Sequence, residues 1–222
     1  MTRRDGIQAS TDTTVIEAGT DFSWTEVERP PEDKAPPGLE TILFRSEDRR
    51  FSCGFWKRVP EAGLLAPPFD EIMMILRGEV EVTRADGTVL EVGSGDVLAA
   101  PNGSRSRWHS LSPVFKFWAV YHGDVEGREP EVLLGAEAAR KTSIAFASGD
   151  GAFSAALRRG DPLVLDPLHD EVALILEGGV EITTESSAIR GETGDVVISP
   201  RGSAGRASAE GNPRLFWAAY SA

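Results

Sequence analysis

The sequence predicts an all-β protein in which the same barrel is built twice in tandem. Three features indicate this architecture: a long internal repeat, many short segments with strand-like alternation, and glycine- or proline-rich turns between those segments. Convincing helical periodicity is absent. We expect an N-terminal arm at residues 1–40, a first barrel at 41–124, a linker at 125–142 and a second barrel at 143–222.

The internal repeat is the strongest of these features. Its offset falls from 102 residues to 99 along the chain, and each change of offset lies in a turn rich in glycine or serine, where insertions cost least. A duplicated domain explains this pattern. The matching segments are TILFRSEDRRFS (41–52) with SIAFASGDGAFS (143–154), DEIMMILRGEVEVT (70–83) with DEVALILEGGVEIT (170–183), GDVLAAPNGS (95–104) with GDVVISPRGS (194–203), and FWAVY (117–121) with FWAAY (216–220).

Within each copy the residues are typical of short strands. Residues 80–83 and 89–92 alternate around a turn that contains Asp86-Gly87, and glycine allows the positive φ of a tight hairpin. Residues 115–121 are aromatic or β-branched apart from one lysine and one alanine, as strands favour. Many short strands joined by such turns are typical of a sandwich or barrel.

Composition excludes several classes of partner. The net charge is −12, and the clustered lysines and arginines that bind phosphates are missing, so we expect no nucleic-acid partner. The apolar runs are too short to cross a bilayer, and the first residues lack the apolar segment of a secretion signal, so we expect no membrane partner. Cys53 is the only cysteine, which fits a reducing cytoplasm.

Two motifs with fixed spacing occur in both copies. Glu71-x6-Gly78 is followed by Gly95-x5-Pro101-x-Gly103, and Glu171-x6-Gly178 is followed by Gly194-x5-Pro200-x-Gly202. These motifs resemble those of the RmlC-like cupin superfamily. The resemblance implies two tandem cupin barrels, the jelly roll that is also described as a double-stranded β-helix.

A finer resemblance covers most of the first copy. Its residues include Cys53-Gly54-Phe55-Trp56, Asp70-Glu71, Asp86-Gly87 and Trp108. They look like the cupin family that includes the ethanolamine-utilisation cupins and is related to ureidoglycine aminohydrolase. The second copy has Ala207 where this pattern has the later tryptophan.

The resemblance to cupins also implies a metal site of two histidines spaced His-x-His, a glutamate and a later histidine. In the first copy the glutamate is Glu71, but Leu65, Pro67 and Ser106 stand at the histidine positions. The second copy retains Glu171 and has Leu165, Pro167 and Gly205 at the histidine positions. We therefore expect no bound cofactor.

One alternative donor pair is present in the second copy. His169 and Glu171 are two residues apart, which puts both side chains on one face of a strand. Together they could hold one divalent transition metal, although the chain offers no clear third donor. His109 and His122 complete the set of histidines, and neither falls on a family ligand position.

Strand alternation predicts a small-molecule pocket inside the first barrel. Glu71, Met73, Ser106 and Trp108 are expected to face the interior, with either Trp118 or Tyr121 from the closing strand. Glu71 is the candidate catalytic residue, as a general acid or base, or as the group that binds a substrate ammonium beside the indole. The alternative is that Glu71 is a hydrogen-bonded group in a filled barrel. In the second barrel, the candidate binding residues are His169 and Glu171.

Three functions remain open from the sequence. The first is binding or transformation of a small nitrogen-containing metabolite in the first barrel without a metal. The second is a non-catalytic sensor or assembly protein with degenerate barrels, and the third is a metal-dependent enzyme similar to ureidoglycine aminohydrolase. The nitrogenous substrate class comes from the resemblance, because a fold does not fix a function. The chain is expected to be a monomer or a homodimer.

Overall fold

The computed structural model describes residues 12–27, 38–124, 128–133, 143–160, 164–184, 187–203 and 205–222. These residues form nineteen β-strands and no helix, which confirms the all-β prediction. In the described part of the chain, no helix is long and apolar enough to cross a membrane. The described residues fall into two compact units, with 22–133 in the first and 12–21 together with 143–222 in the second.

The first unit is a barrel made of two antiparallel sheets. In its described residues, the larger sheet has the strand order β12-β9-β6-β11-β4-β3-β2 and the smaller one has the order β5-β10-β7-β8. The strands of this unit are β2 (Thr25–Glu26), β3 (Leu39–Arg45), β4 (Phe51–Arg58), β5 (Ala62–Leu65), β6 (Asp70–Arg77), β7 (Val80–Thr83), β8 (Val89–Val92), β9 (Val97–Ala100), β10 (Ser106–Ser110), β11 (Val114–Tyr121) and β12 (Glu131–Leu133).

The second unit repeats this arrangement with longer strands. β16 spans the residues that correspond to β6 and β7, and β19 spans those that correspond to β10 and β11, so its described strands form one continuous sheet. The strands of this unit are β1 (Thr14–Ile16), β13 (Ser143–Ala147), β14 (Phe153–Arg159), β15 (Val164–Leu165), β16 (Asp170–Thr184), β17 (Ala188–Glu192), β18 (Val196–Ser199) and β19 (Gly205–Tyr220).

Equivalent turns in the two copies are held by the same hydrogen bonds. The carboxylate of Asp70 accepts a hydrogen bond from the Asn102 backbone N–H (2.9 Å), and that of Asp170 accepts one from the Arg201 N–H (2.8 Å). Ile75 N–H donates to the Asp96 carbonyl (3.0 Å), as Ile175 N–H does to the Asp195 carbonyl (3.0 Å). The repeated residues therefore form the same turns in both barrels.

The predicted arm and linker contribute strands to the sheets. Within the arm, β1 pairs with β18 in the second unit, and β2 pairs with β3 in the first. Within the linker, β12 pairs with β9, the counterpart of β18. In each unit an added strand thus covers the same sheet edge, which would otherwise expose unpaired backbone groups. Residues 1–11 and 28–37 of the arm, and 125–127 and 134–142 of the linker, lie outside the described residues.

The turn at Asp86-Gly87 forms as the sequence predicts. Gly87 has a φ of +86°, and its N–H donates to the Arg84 carbonyl at 3.0 Å. The Asp86 carboxylate accepts a hydrogen bond from the Thr88 N–H at 2.8 Å. This turn joins β7 to β8, which pair from Val80–Val92 to Thr83–Val89.

Alternation along the strands determines which side chains point into the first barrel. The interior cluster includes Met73 and Ile75 from β6, Trp108 from β10, and Trp118 and Val120 from β11. The alternate residues of β11, Phe117 and Tyr121, are fully buried on the opposite face of the sheet. Both faces of β11 therefore carry buried apolar side chains, and alternation alone does not tell which face is inward.

Candidate functional site

A buried ion pair lies inside the first barrel. Glu71 on β6 and Lys116 on β11 both point inward, and the Lys116 Nζ donates to Glu71 Oε1 at 2.7 Å. The Lys116 Nζ also lies 3.4 Å from Met73 Sδ. Lys116 and Glu71 are 8% and 9% exposed, so the pair is largely shielded from water and its attraction is stronger than at a surface.

Two tryptophans form walls around the lysine. The Lys116 Nζ lies 4.9 Å from the centre of the Trp56 ring and 5.5 Å from that of Trp108. The two indoles are nearly perpendicular, with an interplanar angle of 87° and centres 6.5 Å apart. The ammonium is thus held by one carboxylate and by two indole faces, which attract cations through their π-electrons.

Two buried donors beside the ion pair lack a partner. Ser106 and Trp108 are two residues apart on β10 and face the same interior, and they are 4% and 7% exposed. Ser106 Oγ and Trp108 Nε1 make no hydrogen bond in the described structure. A buried polar group without a partner is unfavourable, so both groups are ready to bond to an acceptor on a ligand.

A second carboxyl lies close to the pair. Glu40 on β3 stands opposite Trp56 in the register, and it interacts electrostatically with both Glu71 and Lys116. Burial raises the pKa of Glu40, and the neighbouring Glu71 carboxylate adds to this effect, while Arg45 and Lys116 oppose it. Glu40, which is half-buried, therefore adds a second carboxyl group near this ammonium.

Tyr121, one of the predicted binding residues, lies on the other face of the sheet. Its hydroxyl accepts a hydrogen bond from Arg50 Nη2 at 2.8 Å, and the Arg50 guanidinium lies over its ring. Trp118, three residues earlier, is the aromatic residue of β11 that joins the interior cluster. The placement of Tyr121 in the pocket is therefore corrected, because odd and even positions of the strand face opposite sides.

The second barrel retains the glutamate and lacks the lysine. Glu171 is 4% exposed, and Leu215 stands at the position of Lys116. Glu171 Oε2 has no hydrogen-bond partner in the described residues. Burial raises the pKa of Glu171 to about 7; the Asp166 carboxylate adds to this shift, while the Asp166 backbone and the Arg158 guanidinium oppose it.

Other interior positions also differ between the copies. Arg158 on β14 takes the place of Trp56, and its guanidinium lies over the Trp217 ring, 4.9 Å from the ring centre. Trp217 Nε1 is buried without a hydrogen-bond partner in the described chain. Smaller residues replace large ones at three further positions, where Ala173, Gly205 and Ala207 stand for Met73, Ser106 and Trp108.

His169 does not join Glu171 on a strand face. β16 begins at Asp170, so His169 belongs to the preceding turn and the alternation of the strand does not reach it. Its Nδ1 lies 3.5 Å from Asp166 Oδ2, and the side chain is about one-third exposed. The predicted pairing of His169 with Glu171 is therefore corrected.

Comparison with known families identifies both halves of the chain. The model of the EutQ-like cupin domain matches residues 45–118, and that of the ethanolamine utilisation protein EutQ matches residues 162–222. The two matches overlap when the two copies are aligned, because residues 162–222 correspond to about residues 62–123 of the first copy. The chain is a tandem cupin, and each of its barrels is similar to a EutQ-type cupin.

Solved structures share this fold at low sequence identity. Protein Ylba from E. coli, of the DUF861 family, is 13% identical, with a TM-score of 0.68 over 98% of this chain and 94% of that one. A DUF861 protein of unknown function from Pseudomonas syringae pv. tomato is 16% identical, with a TM-score of 0.63 over 95% and 100%. A mutant of Bacillus subtilis oxalate decarboxylase is 13% identical, with a TM-score of 0.57 over 96% and 78%. No curated protein sequence matches the chain.

The donors inside this tandem cupin do not fit the metal site that the cupin fold implies. The first barrel offers Glu71 without an imidazole, and the ammonium of Lys116 occupies the carboxylate that would bind a cation. In the described residues, no group of three or more histidine, cysteine, aspartate or glutamate side chains is arranged to hold a metal ion. Carboxyl groups that lack an imidazole, one of them already paired with an ammonium, do not bind a transition metal firmly.

Lys116 and Glu40 are site residues that the sequence analysis missed. A signal for Lys116 was present, since it is the single charged residue in the apolar segment 114–121 and its counterpart in the second copy is Leu215. Glu40 falls one residue before the predicted start of the first barrel, whereas β3 begins at Leu39. Cys53, in contrast, is fully buried, and burial raises the pKa of its thiol, which disfavours a nucleophilic role.

Proposed function

We propose that the first barrel binds a small, nitrogen-containing metabolite without a metal ion. The observation that carries this proposal is the buried Glu71–Lys116 ion pair with two unpaired donors, Ser106 Oγ and Trp108 Nε1, on the neighbouring strand. Few buried polar groups in a protein are left without partners, and a pocket with a few convergent polar groups is a common place for a ligand to bind.

The polarity of the interior defines the complementary ligand. The hydroxyl of Ser106, the indole N–H of Trp108 and the ammonium of Lys116 suit a carbonyl or carboxylate oxygen. The carboxyl groups of Glu71 and Glu40 suit N–H groups, and the indole walls suit a flat ligand. A ureide, an amide or an amino-acid derivative combines these properties. This ligand class agrees with the one implied by the resemblance to cupins related to ureidoglycine aminohydrolase.

Glu71 is the group that would move a proton if the bound metabolite is transformed. The Lys116 Nζ donates a hydrogen bond to Glu71 Oε1 at 2.7 Å, so Lys116 is a partner with which Glu71 can exchange a proton. A second candidate function is ligand sensing without chemistry. The observation that favours it is the same ion pair, because Lys116 already satisfies the carboxylate that a substrate would otherwise engage.

The proposal can be tested with a thermal-shift screen of ureides, amides, amines and amino acids. A ligand at 100 times its Kd stabilises the folded protein by about 2.7 kcal/mol, which a melting experiment detects. Every hit is then titrated against Trp108→Phe and Ser106→Ala, which remove one donor each. The matched control is His109→Gln, because His109 directly follows Trp108 on β10 and its side chain is exposed.

The expected result is a loss of affinity of about tenfold for each donor variant and none for the control. If all three variants bind the ligand with the affinity of the wild type, the binding site does not lie in the first barrel. A screen without any hit would favour an assembly role for the protein. We expect the protein to act in a reducing cytoplasm, where a single buried thiol such as Cys53 stays reduced.

A further inference from the structure

The second barrel presents opposite charges that do not pair with each other. Glu171 Oε2 has no hydrogen-bond partner, and the guanidinium of Arg158 has no hydrogen bond or ion pair within the described residues. In the first barrel, the equivalent glutamate is neutralised by Lys116. We propose that the second barrel binds a small zwitterionic metabolite, with its ammonium against Glu171 and its carboxylate against Arg158.

The first barrel shows what this glutamate position can hold. There, the ammonium of Lys116 lies 2.7 Å from the Glu71 carboxylate. Glu171 occupies the same position of the duplicated strand, opposite Ser199 on β18 and Ala219 on β19. Because Leu215 carries no charge, this position supplies no ammonium to Glu171, and a ligand could supply one instead. A buried carboxylate gains most from such a partner, since it has lost its water.

The other end of the site suits a carboxylate. The guanidinium of Arg158 lies over the Trp217 ring, and the buried Trp217 Nε1 is a second donor without a partner. A guanidinium presents a planar set of N–H groups that matches the two oxygens of a carboxylate. Arg158 is close enough to lower the pKa of Glu171, but the two groups make no salt bridge, so a ligand can connect them.

Three further interior positions of the second barrel carry smaller side chains than their counterparts in the first barrel. Ala207, Ala173 and Gly205 replace a tryptophan, a methionine and a serine of the first barrel. Each replacement removes side-chain volume from the interior of the second barrel. Arg158 is partly exposed and Glu171 is not, so the ligand would enter with its ammonium first.

Isothermal titration of the full chain with glycine, β-alanine and γ-aminobutyrate tests this proposal. The measurements are made at about pH 8, where Glu171 is ionised. Propionate and ethylamine, which each retain one end of β-alanine, are the comparison ligands. We expect at least one of the amino acids to bind at least about tenfold more tightly than its single-charge analogues. No binding of any amino acid up to about 10 mM, or equal binding of propionate, overturns the proposal.

Matched variants connect the binding to the two charges. Glu171→Gln and Arg158→Gln are expected to weaken it at least about tenfold each. The controls Glu181→Gln on β16 and Arg190→Gln on β17 remove the same charges from exposed positions of this barrel, and their affinities should equal that of the wild type.

The variant that tests the role of Glu171 most directly is Leu215→Lys, because it places a lysine beside Glu171 as in the first barrel. Its ammonium should occupy the carboxylate and abolish binding. Unchanged affinity in Leu215→Lys, once circular dichroism shows that it is folded, contradicts the proposal. If that variant does not fold, unchanged affinity in Glu171→Gln has the same meaning. Loss of binding in Trp108→Phe alone would assign the amino acid to the first barrel, so the two sites are tested separately.

Discussion

Lys116 and Leu215 occupy the same position in the two copies, and only Lys116 brings an ammonium to a buried glutamate. The Lys116 Nζ lies 2.7 Å from Glu71 Oε1, whereas Glu171 has an oxygen without a hydrogen-bond partner in the described chain. One substitution therefore gives the two barrels different electrostatics while the fold stays the same.

The Glu71–Lys116 pair should show strong coupling in a double-mutant cycle. Lys116→Leu leaves a buried carboxylate without its partner, which costs about 3–5 kcal/mol of unfolding free energy. The double variant Glu71→Leu/Lys116→Leu should recover most of this loss, because apolar replacement of a whole buried pair is often neutral. Urea unfolding of the four proteins at neutral pH measures the coupling free energy.

The control for this cycle is the exposed pair of Arg190 and Glu192. Their side chains are 59% and 70% exposed, and their charged atoms lie 3.3 Å apart. Removing either of these charges should change the unfolding free energy by less than about 1 kcal/mol. Additive effects of the Glu71 and Lys116 substitutions would show that the two side chains do not interact in solution.

Glu171 should make the protein less stable as the pH rises toward 7. Its pKa in the folded state is about 7, above the ordinary value of 4.5, so between these values the folded state binds the proton that the unfolded chain releases. The contribution of Glu171 to the unfolding free energy is therefore fully present below about pH 4.5 and is lost as the pH rises through 7. The total loss is on the order of a few kcal/mol.

Comparison with Glu171→Gln isolates this effect from other titrations. The amide resembles the protonated acid, so the variant should match the wild type at about pH 5 and be more stable at about pH 8. Thermal unfolding at both pH values gives the difference. The exposed Glu181→Gln should show no such change between the two pH values. A variant that loses stability equally at both would mean that Glu171 is not destabilised by ionisation.

The repeat predicted both barrels because each copy encodes its own turns and strands. Asp86-Gly87 forms the expected turn, and the motif aspartates Asp70 and Asp170 make the same backbone hydrogen bonds. Local chemistry of this kind does not depend on distant residues. The two barrels were therefore predictable without knowledge of any ligand.

The site was harder to predict because β11 is apolar on both faces. Alternation tells which residues share a face, but it does not tell which face is inward when Trp118 and Tyr121 are both buried. Once Trp118 is known to face inward, Lys116 must do so too. His169 shows a second limit, since its predicted placement depended on where β16 begins, and strand ends are set by tertiary contacts.

Cys53 should react with thiol reagents only when the protein unfolds. The residue is fully buried on β4 between Ala119 and Phe44 of the neighbouring strands, and burial raises the pKa of its thiol. The thiolate that attacks a disulfide reagent is therefore both scarce and inaccessible. At about pH 8, labelling by a chromogenic disulfide should be on the order of 100-fold or more slower in buffer than in denaturing urea. Rapid labelling in buffer would show that this sheet opens readily.

Gly87→Ala should destabilise the first barrel through the backbone alone. A Cβ at this position meets no atom within 4 Å, but the φ of +86° is one that alanine adopts only with strain. We expect a loss of about 1–2 kcal/mol in unfolding free energy. The control is Gly63→Ala on β5, where a Cβ also meets open space and φ is not positive, so stability should fall by no more than about 0.5 kcal/mol. Equal losses in the two variants would mean that the turn between β7 and β8 does not hold Gly87 in this conformation.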